Sequence, residues 1–502
     1  MMGQTVSEPV QHDPGLGFVG LVLRAGNKIR LIHAPEEVIN ITQQVIHEIN
    51  AKARNGIGVF TKDLNGTTAM YLGPDCFDST TGKVAATSGK MFSIRMLEEM
   101  MRLGYDLVTS TDLSRDWNRA TWIFEKKVSG RRVRKVTCLA LGRGDTFILL
   151  RASDQFIDIV RNSVKQCWPY GVKDQAVLES CGETVTEIKL SGSPWNCSED
   201  QEHVFSRTML IRIIANLGSA HYRLLAGTNI KGGADSLLFI QDENYKPSIS
   251  DFCCIGLNKK NQLRLFNCGA VISGKVRDTI ERNNGEIESM SEMAGCVEIK
   301  LRGKPWSCTG EKGVHSRQLI SRISGTMLGC GWCLVGGITI SRSSSDKGIL
   351  LYSRDQVSAG AVACLAMTGA HTITLIDFPP STRDSLRSVV SGISREQEIG
   401  NNCYQIELTG SAWSSSEPVS LHARSTLMHL LKTANSLGWE LAASTDVSSK
   451  YYPDDNGPDY PEDVHSWYFI RKDSDSVSKH PTGTSLTVDL PPSYEDVMKN
   501  NI

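Results

Sequence analysis

The chain has 502 residues, 40% hydrophobic and 22% charged, which is enough apolar content for several buried cores and roughly three to five domains. Its formal net charge is −1, so no global field draws it toward nucleic acid or acidic partners. No apolar run is long enough for a membrane-spanning helix, and the polar start MMGQTVSEPVQHDPG lacks the apolar stretch of a secretory signal.

In chain order, residues 1–16 read as a flexible leader. Within it Met2-Gly3-Gln4-Thr5-Val6-Ser7 fits the N-myristoylation pattern with Gly3 as acceptor. An extra Met1 precedes it, so translation has to start at Met2 or both methionines must be removed; the plain alternative is a disordered leader. Two alternating apolar runs around a turn follow (Gly20 to Ile32), then a helical stretch (Ala34 to Ile49).

From there the chain repeats itself. VTEIKLSGSPW (Val185 to Trp195), CVEIKLRGKPW (Cys296 to Trp306) and CYQIELTGSAW (Cys403 to Trp413) align almost without gaps, at a spacing of about 110 residues. TTAMYLGPDCF, ending at Phe77, is a weaker fourth copy. Each copy continues into a helix with one apolar face, as in RSTLMHLLKTANSLG from Arg424, and Gly104, Gly218, Gly329 and Gly438 are expected to end these helices. A strand beginning at Tyr105, Tyr222, Trp332 or Trp439 comes next. A second strand follows it: TWIF, SLLF, ILLY or SWYF. A hairpin (CLALGRGDTFILL, CIGLNKKNQLRLF, CLAMTGAHTITLI) and a second helix complete the copy, with Pro379 and Pro380 placed at a helix start.

These elements predict an α+β fold of four tandem repeats, each β-α-β-β-β-β-α, with sheets covered by helices. The expected divisions are a hairpin-helix at 17–50, repeats at 51–170, 171–284, 285–395 and 396–472, and a tail at 473–502. The last copy lacks a hairpin and second helix, and the segment 17–50 is that same unit. It is therefore expected to complete the fourth repeat and close the array, because an unpaired apolar edge invites aggregation. The alternative is a free-standing half-module.

The pattern GWELAASTDVS, an acidic loop, then VHSWYFIRK resembles a repeat of poorly characterised eukaryotic proteins. That resemblance covers most of the chain and implies no activity.

The repeats allow one test for shared chemistry. Fifteen residues before the strand-opening aromatics stand Lys90, Arg207, Arg317 and Arg424, all basic and all near a helix start. With His203, His315 and His422 nearby, they are candidate phosphate or carboxylate ligands; the competing reading is a structural arginine whose stem packs on Trp195, Trp306 or Trp413. A second matched position holds Asp112, Asn229, Thr339 and Asp446. Asn and Thr cannot replace a catalytic carboxylate, so loop hydrogen bonding is the better account. The 14 cysteines are irregularly spaced and read as reduced thiols in the cytosol or nucleus. Cys330-Gly331-Trp332-Cys333 stands without a second pair to complete a zinc site, and Cys253-Cys254 looks like strand filling. The acidic run from Asp454 to Asp459 lacks the spacing of a calcium loop. No catalytic residue, metal or cofactor is expected.

Lys126, Lys127, Arg131, Arg132, Arg134 and Lys135 form a basic cluster, read as lying between two strands of the first repeat. It is a candidate contact for an anionic membrane surface, a solvated hairpin tip or a nuclear localisation patch. Nucleic acid is not an expected partner, since no aromatic residue is interleaved in that run.

The tail is expected to be disordered. In it Pro491, Pro492 and Tyr494 form a P-P-x-Y motif, which resembles ligands of the WW domains in Nedd4-type ubiquitin ligases. Prolines preset an extended helix that docks in an aromatic groove at small entropic cost. MGQTVS with P-P-x-Y also resembles the linear motifs of retroviral Gag proteins, but the repeats between do not resemble matrix or capsid.

The expected function is a non-enzymatic adaptor. It is placed in the cytoplasm, with a route to membranes through Gly3 and the basic cluster, and recruits WW-domain proteins through its tail. The alternative is an array that binds phosphorylated ligands or lipid headgroups, or acts on them, through the four helix-start cations.

Overall fold

The computed structural model describes residues 13–472, apart from 25, 53–61, 65–66, 74–75, 78–82, 115–117, 128–133, 143, 198, 231–234, 249–250, 341–345, 355–359, 414–416, 448–450, 455–456 and 462–463. Four modules follow one another, each running strand, strand, helix, strand, strand, helix, strand, strand.

The first contains β1 (Phe18–Arg24), β2 (Lys28–Ile32), α1 (Glu36–Lys52), β3 (Lys62–Leu64), β4 (Thr67–Tyr71), α2 (Lys83–Arg102), β5 (Tyr105–Thr111) and β6 (Asn118–Lys126). The second contains β7 (Val136–Gly142), β8 (Thr146–Leu150), α3 (Asp154–Cys167), β9 (Val172–Ser180), β10 (Glu183–Leu190), α4 (Asp200–Ser219), β11 (Tyr222–Thr228) and β12 (Ser236–Gln241). The third contains β13 (Phe252–Asn258), β14 (Gln262–Phe266), α5 (Ala270–Arg282), β15 (Ile287–Met293), β16 (Cys296–Leu301), α6 (Gly310–Gly329), β17 (Trp332–Ile338) and β18 (Asp346–Arg354). The fourth contains β19 (Gly360–Thr368), β20 (Thr372–Ile376), α7 (Pro380–Ser388), β21 (Ile393–Glu398), β22 (Cys403–Leu408), α8 (Glu417–Ser436) and β23 (Glu440–Thr445). A small two-stranded insert, β24 (Tyr451–Asp454) and β25 (Gly457–Pro461), then precedes its last strand, β26 (Ser466–Lys472).

Every module builds one antiparallel six-stranded sheet of the same order; in the first it is β3-β4-β2-β1-β6-β5. The α+β repeat architecture is therefore as expected, but the phase of the repeat is corrected. The N-terminal hairpin β1-β2 does not complete the fourth sheet. It lies inside the first, where β1 pairs with β6 (Leu21 opposite Trp122) and β2 with β4. Likewise the hairpin β7-β8 belongs to the second module, with β8 on β10 and β7 on β12. The modules thus span 18–126, 136–241, 252–354 and 360–472 rather than the divisions read from the sequence. A tandem repeat read cyclically has no unique starting point, so element order alone could not choose between the two frames.

The array nevertheless closes. The long second helix of each module lies on the first strand of the next: α2 on β7, α4 on β13, α6 on β19, and α8 back on β1. At that last contact a Cβ on Gly20 of β1 would stand 3.3 Å from Met428 Sδ, so the glycine makes room for the methionine of α8. Inside the ring, the edge strands meet in the same cyclic order, β5 with β11, β11 with β17, β17 with β23 and β23 with β5. Each of these four strands carries a register shift at one matched place, at Leu107/Thr109, Leu224/Ala226, Leu334/Gly336 and Leu441/Ala443. A one-residue bulge increases local twist and bends an edge strand, which turns each sheet edge toward its neighbour.

Helix ends follow the sequence in part. Gly104 and Gly438 take left-handed φ values of 84° and 80°, as a C-terminal glycine should. Gly218 and Gly329 instead remain inside α4 and α6, and the left-handed residues there are His221 and Gly331. Pro380 opens α7, and Ser153 caps α3 by accepting from Phe156 N–H.

Candidate functional site: the seams between modules

The four matched cations are not gathered at one site. Each lies in a different seam and is almost wholly buried: Lys90 is 6% exposed, Arg207 1%, Arg317 1% and Arg424 2%. Their helix position points them across to the next module, and their donors go to protein acceptors. Arg424 donates Nη1 to Ser420 O at 2.9 Å, Nε to Thr121 Oγ1 at 3.2 Å and Nη2 to Leu113 O at 3.2 Å. Arg317 repeats the scheme with Nη1 to Gly313 O and Nε to Ser466 Oγ, both at 2.9 Å. Thr121 and Ser466 hold the same place in β6 and β26, opposite Thr111 and Thr445. In the third module that place is Ile349, without a hydroxyl, and Arg207 donates to Ser206 Oγ at 2.6 Å. Lys90 Nζ reaches Ala86 O at 3.4 Å. Arg317 and Arg424 therefore act as staples between modules, whereas Arg207 and Lys90 bond within their own helices.

The second matched position stitches the same seams by its backbone, a role the sequence did not reveal. Ala120 N–H donates to Asn229 O at 2.9 Å, Asp235 N–H to Thr339 O at 2.8 Å and His465 N–H to Asp112 O at 3.0 Å. A carbonyl places no demand on the side chain, which explains why Asp, Asn and Thr interchange there. Side chains add to it: Thr339 N–H donates to Asp235 Oδ2 at 2.7 Å, Trp122 Nε1 to Thr228 Oγ1 at 2.8 Å and Trp467 Nε1 to Thr111 Oγ1 at 3.0 Å. Glu98 of α2, 6% exposed, binds the second module through Arg151 Nη1 at 2.8 Å and Val136 N–H at 3.0 Å. The recurrence of a hydroxyl at Thr121, Ser236 and Ser466 was the one sequence signal that could have pointed to these bonds.

All 14 cysteines are free thiols. Burial pushes Cys138 and Cys403 up to about 12, and holds Cys253, Cys254, Cys296 and Cys364 well above the usual thiol range. Such thiols stay protonated at neutral pH and serve as small core side chains. Cys138, Cys254 and Cys364 hold the strand place that Gly20 holds in the first module. In the C-x-x-C segment, Cys333 is buried with its thiol on Leu334 O, while Cys330 is half-buried at the end of α6. Among the described residues no cluster of His, Cys, Asp and Glu is arranged to hold a metal ion.

The basic cluster is not inside the first module, as its sequence position suggested. It is the connection from β6 to β7, between the first and second modules. Arg131 and Arg132 lie outside the described residues. Of the rest, Lys126 pairs with Glu37 at 2.8 Å, Lys127 with Glu125, and Arg134 with Asp242 at 2.8 Å, so in space acids do intervene. Beside it, a cavity of about 230 Å³ opens between the two modules. Its walls include Leu97, Met101, Leu107 and Phe124, with Lys127, Arg134 and Arg223 balanced by Asp106 and the nearby Asp242.

Gly3, and the P-P-x-Y residues Pro491, Pro492 and Tyr494, lie outside the described residues, as do the side chains of the acidic run at 454–459. Among the described residues no helix is long and apolar enough to cross a membrane.

The chain matches no curated protein and no solved structure. One family model matches it four times, over residues 17–125, 135–241, 251–353 and 361–470, and these spans coincide with the four sheets and their helices. The chain belongs to that domain family and consists of four consecutive copies of its domain.

Proposed function

We propose that the protein is a non-enzymatic adaptor. The four-module ring is a rigid body, and the carboxy-terminal segment recruits WW-domain proteins, Nedd4-type ubiquitin ligases among them. The observation that carries this reading is the fate of the repeat's strongest chemical signal. Lys90, Arg207, Arg317 and Arg424 are 1–6% exposed, and Arg317 and Arg424 bond across to the next module, while Lys90 and Arg207 bond within their own helices, so none of the four opens into a site. What remains of the chain's distinctive chemistry is the Leu490-Pro491-Pro492-Ser493-Tyr494 segment, beyond the last strand. Prolines at that spacing fit an aromatic groove, and the tyrosine fills the adjoining pocket.

The test is a pull-down of the full chain on immobilised WW domains. Pro492→Ala or Tyr494→Ala should lower capture by about tenfold or more, the loss expected when an anchor of a short motif is removed. Capture equal to wild type would reject the reading.

Association with membranes through an acylated Gly3 is a second part of the proposal, supported by the MGQTVS pattern. One acyl chain binds a bilayer only marginally, with a constant of about 10⁴ M⁻¹, so a basic surface has to assist it. Gly3→Ala should move the membrane-bound fraction into the soluble fraction on flotation; an unchanged distribution would remove the acyl anchor from the account.

A further inference from the structure

Two histidines sit on the seam that closes the ring, between the fourth and first modules, and both use Nδ1 to accept a backbone N–H. His33, 2% exposed and just past β2, accepts from Asp13 N–H at 3.2 Å, while its Nε2 lies 2.7 Å from Ser425 Oγ of α8. Nδ1 therefore carries no proton, and Nε2–H donates to the serine. His465, just before β26, accepts from Asp112 N–H at 3.3 Å and returns its own N–H to Asp112 O at 3.0 Å. Ser444 Oγ, whose hydroxyl donates to Thr111 Oγ1 at 2.8 Å, stands 3.1 Å from the same Nδ1 and is ready to accept from a protonated ring nitrogen. The matched positions in the other modules carry no imidazole. They are Arg151, Asn267 and Asp377 for His33, all with left-handed φ like His33 itself, and Ala120, Asp235 and Gly348 for His465.

We propose that the fourth–first seam is a proton-operated latch, which protonation of His33 and His465 opens while the other seams hold. A proton on Nδ1 converts an acceptor into a donor that faces another donor. Each histidine then loses the backbone bond that only an unprotonated Nδ1 can make, and the Asp13 and Asp112 amides lose that acceptor.

The charges around each ring set how readily this happens. Facing His33 are the His429 ring at 5.8 Å, Lys432, whose Nζ donates to Gly15 O, and the Asp13 carboxylate, which accepts from Gly15 N–H. His422 lies beyond His429 on α8. Burial holds His429 below the ordinary histidine value, so the folded seam binds its proton less tightly than the unfolded chain does. The stability this gives is present above the unfolded value and is lost as pH falls below it, the same direction as the latch. Facing His465 are the Asp112 carboxylate, held by Ser114 N–H and Asn229 Nδ2, and the Arg424 guanidinium on Leu113 O, with Arg24 beside it. The carboxylate favours a charged ring but cannot replace the Nδ1 acceptor for its own amide.

Hydrogen exchange of the full chain at pH 7.5 and 5.5, corrected for the intrinsic pH dependence of amide exchange, tests this. Protection of the Asp112 and His465 amides should fall by about tenfold or more at the lower pH. The Ala120 and Asp235 amides, which make the same stitch at the first–second and second–third seams, should not change. In the double variant His33→Asn, His465→Asn, a side-chain oxygen that does not titrate takes the acceptor's place. Asn already occupies the left-handed position matched to His33 in the third module. The acid response of the seam should then vanish. The proposal is overturned by no loss of protection, by equal loss at all three seams, or by a double variant that keeps the full response. Should that variant not fold, the comparison between seams in the wild type decides alone.

Discussion

Arg424→Ala is expected to destabilise the ring by about 3 kcal/mol or more, and Arg424→Met by less. The alanine leaves Thr121 Oγ1 and Leu113 O without the donor that now reaches them from α8, each a buried group whose loss of a partner costs about 1–3 kcal/mol. It also leaves a cavity where an entire guanidinium side chain stood. Methionine removes the same donors but keeps the volume and lifts the cost of desolvating a cation. That cost is real here: burial, ahead of repulsion from Arg24, presses Arg424 down to about 10. The apolar side chain thus spares the cavity, while the acceptors lose the arginine in both variants. Urea denaturation of the three proteins checks the order. If Arg424→Ala unfolded at the wild-type midpoint, the residue would not be a staple, and a role toward a ligand would return.

Gly337→Ala should cost about 2–3 kcal/mol, the scale of an overpacked core, while the adjacent Gly336→Ala should cost nothing measurable. A Cβ at Gly337 of β17 would stand 2.5 Å from Ser444 O and 2.8 Å from Thr445 Cβ, both on β23 of the next module. The nearest of these is backbone, so neither neighbour can swing aside and the two sheet edges must part. A Cβ at Gly336 meets nothing within 4 Å. Neither glycine has a positive φ, so the contrast isolates the approach of the strands from any backbone strain. Because the strands meet in a ring, a wedge at the third–fourth contact should also loosen the others. Thermal melts of the two variants measured side by side settle the point. Equal behaviour would mean that the strands do not approach this closely in solution.

The fate of the matched positions shows how far sequence reasoning reaches. That the four cations recur was visible at once, and a structural role was one of the two readings open to them. The partners that matter between modules were not, because they lie far away in the chain: Thr121 is 303 positions from Arg424, and Ser466 is 149 from Arg317. The carbonyl stitch at Asp112, Asn229 and Thr339 leaves no trace in side-chain identity at all. The basic run from Lys126 to Lys135 misled for a related reason, since its acids, Glu37 and Asp242, come from distant segments.

The amino-acid order by itself determined the number of modules, their α+β character and the succession of strands and helices, because apolar periodicity and turn residues act over a few neighbouring positions. It also marked the apolar face of α8 and the Cys253-Cys254 pair as interior, and both are buried. Tertiary structure alone decided where each module begins, by which contacts the last closes on the first, and that Arg317 and Arg424 bind modules together. A strand pairs with whichever edge the folded chain brings to it, and a periodic sequence offers the hairpin β1-β2 equivalent partners at both ends. Only the three-dimensional packing of α8 on β1, beside the β1-β6 ladder, distinguishes them.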